Sequence, residues 1–142
     1  MADPLHLQKL CVGAGSVEDL VDWQASQRRR WPAGCAVHVT RLWPKRAAEI
    51  EGGSLYWVIR GVILARQRLL RLEEAVGGDG IRRCALVLDA EVVRTAAAAR
   101  RPFQGWRYLP AAEAPRDLPR GRAQDDALPP DLARALAEIG LV

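Results

Sequence analysis

The chain has 142 residues, a hydrophobic share of 49% and a formal net charge of +4 at pH 7. This length suits one domain with one core, and no apolar run approaches the roughly 18 residues that a membrane helix needs. The first residues carry an acid and no basic segment ahead of a long apolar run, which is unlike a secretory signal. We therefore expect a cytoplasmic protein without a membrane partner.

Cysteines, histidines and known motifs limit the chemistry that the chain can support. Cys11, Cys35 and Cys84 are odd in number and widely spaced, so neither a disulfide framework nor a structural zinc site is expected. The sequence contains no G-x-S-x-G, P-loop or H-E-x-x-H motif, and "GAGSVED" lacks the third glycine of the dinucleotide motif. We predict no metal and no cofactor.

The N-terminal part predicts a strand followed by a helix. Residues 3–12 alternate between apolar and polar types with one slip, which is typical of a short strand. Ser16 and Asp19 then resemble a capping box, and apolar residues follow at helical spacing. The pattern predicts a helix over 17–30 that ends before Pro32.

The next segment predicts two strands joined by a helical corner. Residues 35–43 are rich in β-branched and apolar types, and Pro44 ends this strand. The stretch "KRAAEIEGG" predicts a short helix that stops at Gly52 and Gly53. Residues 54–59, "SLYWVI", form a wholly apolar run between Gly-Gly and Arg-Gly, which suits a strand buried on both faces.

Residues 62–76, "VILARQRLLRLEEAV", fit both a helical stripe and a strand that carries Arg66 and Arg68 on one face. We favour a strand paired with 54–59, because "GGDG" then provides a second tight return into a strand over 81–89. Three consecutive antiparallel segments predict the sheet of a small barrel.

The domain boundaries follow from composition. Residues 111–130 are rich in proline, alanine and charge, which predicts a mobile linker, and residues 131–142 predict a short amphipathic helix. Residues 1–110 are expected to form a single α+β domain, with a small curled, mostly antiparallel, β-barrel-like sheet and the N-terminal helix packed on it.

Two clusters of cations and aromatics indicate a surface for an anionic, planar ligand. In "WPKRAAE", Lys45 and Arg46 lie at the start of a helical turn, where free backbone N–H groups attract anions. In "RPFQGWRY", aromatic rings alternate with Gln104 and Arg107, a pattern typical of single-stranded nucleic-acid readers. We expect the two segments to converge on one concave face. The alternative is that the rings pack in the core and the cations are solvated.

A third group of cations lies on the predicted strand over 62–76. There, Arg66 and Arg68 would project from one face about 7 Å apart, close to the spacing of successive phosphates in a nucleic acid. The candidate ligand-binding residues are Arg41, Trp43, Lys45, Arg46, Tyr56, Arg66, Arg68, Gln104, Trp106 and Arg107.

Four stretches, "KLCVGAGSVEDLVDWQ", "TRLWPKRAAEIEGGSLYWVIRGVILARQRLLRLE", "DGIRRCALVLD" and "RPFQGWRYL", resemble an uncharacterised bacterial family of small proteins, a domain of unknown function. The resemblance covers residues 8 to about 110 and implies no established activity. More loosely, the order strand, helix, strand, corner and β meander is similar to PUA-like domains, including the ASCH and EVE types. That similarity implies a small mixed barrel that binds RNA or modified bases, and some ASCH members are amidases on modified nucleosides.

These observations favour binding of RNA or a nucleotide-type ligand, without catalysis. One alternative is a small hydrolase or amidase that acts on a modified nucleoside through Lys45, near Thr40 and Glu49. Another is a protein–protein adaptor whose aromatic side chains form an interface. The sequence leaves the oligomeric state open.

Overall fold

The computed structural model describes residues 5–11, 13–41, 43–101, 103 and 105–118. The predicted C-terminal helix, most of the predicted linker and the candidate residue Gln104 lie outside these ranges. No helix within the described ranges is long and apolar enough to cross a membrane.

The described chain is a mixed α+β fold made mostly of strands. In chain order its elements are β1 (His6–Leu10), α1 (Val17–Gln27), a 3₁₀ turn (Arg28–Arg30), β2 (Cys35–Thr40), α2 (Ala47–Ile50), β3 (Ser54–Ile59), β4 (Val62–Val76), β5 (Arg82–Asp89), β6 (Val93–Ala99), β7 (Trp106–Leu109) and a second 3₁₀ turn (Ala111–Glu113). The predicted α+β class is confirmed.

Within the described residues, seven strands form one sheet in the order β2-β5-β4-β3-β1-β7, with β6 beside β4. The β1–β3 pair is parallel and the other pairings of these strands are antiparallel. Residues 62–66 of β4 pair with β6, and residues 69–76 pair with β5. The predicted mostly antiparallel sheet is confirmed. The predicted barrel is wrong, because β2 and β7 end the strand order and do not pair, so the sheet stays open.

Side chains from strands that are not neighbours in the open sheet nevertheless meet on one side of it. The ring of His38 on β2 lies 5.3 Å from the ring of Trp57 on β3, although β5 and β4 separate these strands in the sheet. In a flat sheet with a strand spacing of about 4.8 Å, β2 and β3 would be roughly 14 Å apart. We call the side on which these two rings meet the concave face, and the opposite side the convex face.

Helix α1 begins as its sequence predicts. The Ser16 hydroxyl oxygen accepts a hydrogen bond from the Asp19 N–H at 3.1 Å, and the Asp19 carboxylate accepts one from the Gly15 N–H at 2.9 Å. These bonds satisfy N–H groups at the start of the helix. The helix then packs Val17 and Leu20 against the concave face, where they join the larger hydrophobic cluster.

The β3–β4 hairpin confirms the strand interpretation of residues 62–76. All six residues of β3 are buried, as expected of a strand covered on both faces. The turn consists of Arg60 and Gly61, whose φ angles are 51° and 80°. Two consecutive residues with positive φ form the tight turn that matches the twist of a two-stranded ribbon.

Strands β6 and β7 were not predicted. The sequence of β6, "VRTAAAA", consists largely of alanine, which has a high helix propensity. It forms a strand because it pairs with the exposed edge of β4, and such pairing overrides intrinsic propensity.

Side chains of β3 alternate between two cores. Leu55, Trp57 and Ile59 join the larger cluster on the concave face, together with α1. Tyr56 and Val58 belong to a smaller cluster on the convex face. This alternation gives the domain two distinct surfaces near β3, and the candidate residues divide between them.

Candidate functional site

The candidate ligand-binding residues within the described ranges do not share one surface. Tyr56, Arg66 and Arg68 project from the convex face, whereas Trp106 packs against the cluster on the concave face. Arg107 alternates with Trp106 along β7 and holds its guanidinium 5.4 Å from the Phe103 ring, which belongs to the convex cluster. The structure therefore places the third group of candidate residues on the opposite face of the sheet from Trp106.

A lysine between two tryptophans is the central feature of the concave face. Lys9 on β1 is the register partner of Trp57 on β3 and of Trp106 on β7. The three side chains thus form a row across neighbouring strands, which lie about 4.8 Å apart. Trp57 is buried and donates its indole N–H to Gln67 at 2.9 Å, while Trp106 is half-buried.

Lys9 is half-buried and, within the described part of the chain, forms no ion pair with a carboxylate. Burial lowers the pKa of the Lys9 ammonium from its usual value. A cation in this position is only partly hydrated and lacks a compensating charge, which is unfavourable unless an anion approaches.

His38 lies beside this lysine on the concave face. Its Nε2 atom is buried and has no hydrogen-bond partner among the described residues. Burial, together with the positive charge of Lys9, lowers the pKa of His38 to about 4, so the imidazole is neutral at pH 7. Buried polar atoms are normally hydrogen-bonded, so an unpaired Nε2 next to an unpaired ammonium indicates a place where a ligand group can bind.

The corner between β2 and β3 reaches the same surface through contacts with Tyr108. The backbone N–H of Arg46 donates to the Tyr108 hydroxyl at 3.0 Å, and the Arg46 guanidinium lies 5.5 Å from the centre of the Tyr108 ring. Tyr108 in turn packs edge-on against Trp106 with the ring centres 5.0 Å apart. We name the group Lys9, His38, Arg46, Trp57, Trp106 and Tyr108 the tryptophan–lysine surface.

The rest of the corner is solvent-exposed. Arg41, Trp43 and Lys45 are exposed, and Trp43 shows 47% of its surface. Glu49 forms its ion pair with Arg46 at 2.7 Å rather than with Lys45. The hydrolase alternative needed a desolvated lysine at this corner, and the partly desolvated lysine of the chain is Lys9 instead.

The convex face carries a cleft with a volume of about 480 Å³, which we name the outer cleft. The Arg66 guanidinium binds both carboxylate oxygens of Asp117, at 2.7 and 2.6 Å, and donates to the Ser54 hydroxyl at 3.0 Å. The residues that line the outer cleft are His6, Gly52, Ser54, Tyr56, Arg66, Arg68, Ala111, Ala114, Pro115, Arg116 and Asp117.

Several residues of both sites were missed from the sequence. The missed residues are His6, Lys9, Ser54 and Trp57, and His38 was interpreted only as a packed side chain. One signal was present in "LHLQKL", where Lys9 occupies the same alternating positions as the buried Leu5 and Leu7. A lysine on the inward side of a strand indicates a functional position.

Comparisons with known proteins identify the family of the chain but not an activity. Neither a curated protein nor a solved structure matches it. A family model described as "Protein of unknown function (DUF1489)" matches residues 7–142, which is nearly the whole chain. This match agrees with the resemblance to an uncharacterised family that the four quoted stretches indicated. The chain therefore belongs to the family described as protein of unknown function, DUF1489.

Proposed function

We propose that the protein binds RNA or a nucleotide-type ligand, anionic and planar, on the tryptophan–lysine surface. The observation that carries this proposal is the position of Lys9, a half-buried ammonium between two indoles without a carboxylate partner in the described chain. A phosphate group at Lys9 would supply the missing negative charge. The attraction between the ammonium and the phosphate would be stronger there than in bulk water, because water is partly excluded.

The neighbouring side chains suit the other parts of such a ligand. The half-buried rings of Trp106 and Tyr108 offer surfaces on which a base can stack, as in other single-strand readers. The unpaired Nε2 of His38 can hydrogen-bond a polar base edge or a sugar hydroxyl. Arg46 adds a second cation, because its ion pair with Glu49 is solvent-exposed and can be exchanged for a phosphate.

The proposal includes the finer fold assignment. The order strand, helix, strand, corner and β meander is loosely similar to PUA-like domains, and binding of RNA or modified bases is what that similarity implies. Fold alone does not determine function, so the support for binding comes from the unpaired polar groups at Lys9 and His38.

Anisotropy titration of labelled single-stranded RNA and of a labelled mononucleotide, at low salt, tests this proposal. The two lysines of the chain provide a matched pair, because Lys9 is half-buried in the row and Lys45 is exposed at the corner. Lys9→Gln should weaken binding by about tenfold, whereas Lys45→Gln should weaken it by no more than about threefold.

A third variant separates stacking from charge. Trp106→Leu should cost about 1 to 3 kcal/mol of binding free energy and leave the salt dependence unchanged, since no charge is removed. Equal effects of the two lysine variants would contradict the proposed surface. Absence of binding to either probe at low salt would contradict the function and favour the adaptor alternative.

A further inference from the structure

The outer cleft is a second candidate site, on the opposite face of the sheet from the tryptophan–lysine surface. Tyr56 lines the cleft, whereas its neighbour Trp57 points to the concave face. The volume of about 480 Å³ falls within the range of about 300 to 1,000 Å³ that small-molecule pockets occupy. The cleft is therefore large enough for a small organic ligand.

The polar groups of the outer cleft are arranged as hydrogen-bond donors. The His6 Nδ1 atom accepts a hydrogen bond from the Ser54 N–H at 2.9 Å, so the hydrogen of this neutral imidazole is on Nε2. The Ser54 hydroxyl oxygen accepts from Arg66 at 3.0 Å, which leaves its hydrogen free to donate. Burial raises the pKa of Tyr56, so its hydroxyl also keeps its hydrogen. The complementary ligand is an acceptor.

The charges of the outer cleft favour an anion. Arg66, Arg68 and Arg116 contribute three positive charges, and Asp117 contributes one negative charge. Arg68 and Arg116 form no ion pair with another described residue, whereas Arg66 is bound to Asp117. The net charge of about +2 matches a dianion, and guanidinium groups fit the oxygen geometry of phosphate.

We propose that the outer cleft binds the phosphate dianion of a small phosphorylated ligand, with Arg68 as its main cation and Asp117 as an internal competitor for Arg66. Ala111, Ala114 and Pro115 form the apolar part of the lining, against which an organic group attached to the phosphate would pack. Free phosphate offers the same recognition chemistry without that group.

Asp117 occupies the place of a ligand oxygen pair on Arg66, because it binds the guanidinium through both carboxylate oxygens. The segment that carries Asp117 does not depend on this ion pair for its position. The Ala96 N–H donates to the Arg116 carbonyl at 2.8 Å, and the Leu118 N–H donates to the Arg94 carbonyl at 2.9 Å. Asp117→Asn should therefore free Arg66 while the segment stays in place.

Calorimetric titration of the full chain with inorganic phosphate and with glycerol 3-phosphate tests the proposal. The experiment belongs at low ionic strength and about pH 8, which is well above the second pKa of about 6 of a phosphomonoester such as glycerol 3-phosphate and also above the second pKa of inorganic phosphate. Arg68→Gln should weaken phosphate binding by about tenfold, because it removes a charge-assisted hydrogen bond. Arg71→Gln is the matched control on the same strand, since Arg71 lies outside the cleft and pairs with Glu73 at 2.6 Å.

Asp117→Asn is the variant that distinguishes a competitor from a simple structural role. Loss of the competing carboxylate should strengthen phosphate binding severalfold, whereas a merely structural Asp117 would give weaker binding on substitution. Tighter binding of glycerol 3-phosphate than of phosphate would identify a phosphomonoester as the ligand, and equal binding would identify free phosphate. Equal effects of Arg68→Gln and Arg71→Gln, or weaker binding by Asp117→Asn, would overturn the proposal.

Discussion

At the scale of single residues, His38 differs from an ordinary buried side chain because one of its ring nitrogens has no partner among the described residues. Lys9, in the row beside His38, is a cation and offers no hydrogen-bond acceptor. Burial lowers the pKa of His38 most, and the positive charge of Lys9 lowers it further. An imidazole held neutral in this way can accept or donate a hydrogen bond with a ligand. The same property makes the stability of the fold sensitive to pH.

His38→Gln should reduce the loss of stability on acidification. The pKa of His38 is lowered from 6.5 to about 4 in the folded protein, so the unfolded chain binds more protons between these values. Stability contributed by the neutral imidazole is therefore present above about pH 6.5 and is lost as the pH falls toward 4. The free energy of unfolding, measured with urea, should fall between pH 7 and about pH 4.5 in both proteins. The fall should be smaller in the variant than in the natural chain by roughly 1 to 3 kcal/mol.

Part of the acid sensitivity should remain in that variant. Burial and the charge of Arg66 also lower the pKa of His6. Protonation of His6 at low pH should therefore destabilise the fold, as protonation of His38 does. A loss of stability between these two pH values that is the same in His38→Gln as in the natural chain would show that His38 is not the titrating group.

At the scale of secondary-structure elements, one buried side chain ties α1 to the sheet. Gln67 on β4 donates to Gln24 of α1 at 2.8 Å and to the Asp89 carbonyl at 3.0 Å. Its carbonyl oxygen accepts from Gln24 at 2.7 Å and from the Trp57 indole at 2.9 Å. Gln67 is fully buried, so this network replaces water completely.

Gln67→Leu should destabilise the fold by about 2 to 4 kcal/mol, because it leaves the partners of Gln67 buried and unsatisfied. Urea unfolding measures the change. The double variant Gln24→Leu with Gln67→Leu should cost less than the sum of the two single variants, since it removes the mutual partners together. Additive costs would contradict the coupling of α1 to β4 through this pair.

Local signals allowed some elements to be predicted and left others hidden. The β3–β4 hairpin was predictable because its apolar run, its Arg-Gly turn and the following strand are adjacent in sequence. Strand β6 was not, because its alanines acquire strand conformation only by pairing with β4. The barrel was predicted from three adjacent hairpin strands, but whether a sheet closes depends on the two outermost strands, β2 and β7.

At the scale of the whole molecule, the tryptophan–lysine surface results from a register that local patterns do not reveal. Strand β1 inserts between β3 and β7, and this brings together residues from the beginning, the middle and the end of the domain. The sequence did indicate Trp106 and Arg46 from their chemical types. It did not indicate Lys9 or Trp57 as their neighbours, because strand order across such separations is set by global packing.

The same topology predicts that the two proposed sites act independently. Side chains of adjacent residues on β3 point to opposite faces, so the surface around Trp57 and the outer cleft around Tyr56 are separated by the sheet. At constant ionic strength, saturating glycerol 3-phosphate should change the dissociation constant for single-stranded RNA by less than about twofold. Lys9→Gln should affect only RNA binding and Arg68→Gln only phosphate binding. Competition between the two ligands in the same titration would show that one surface binds both of them.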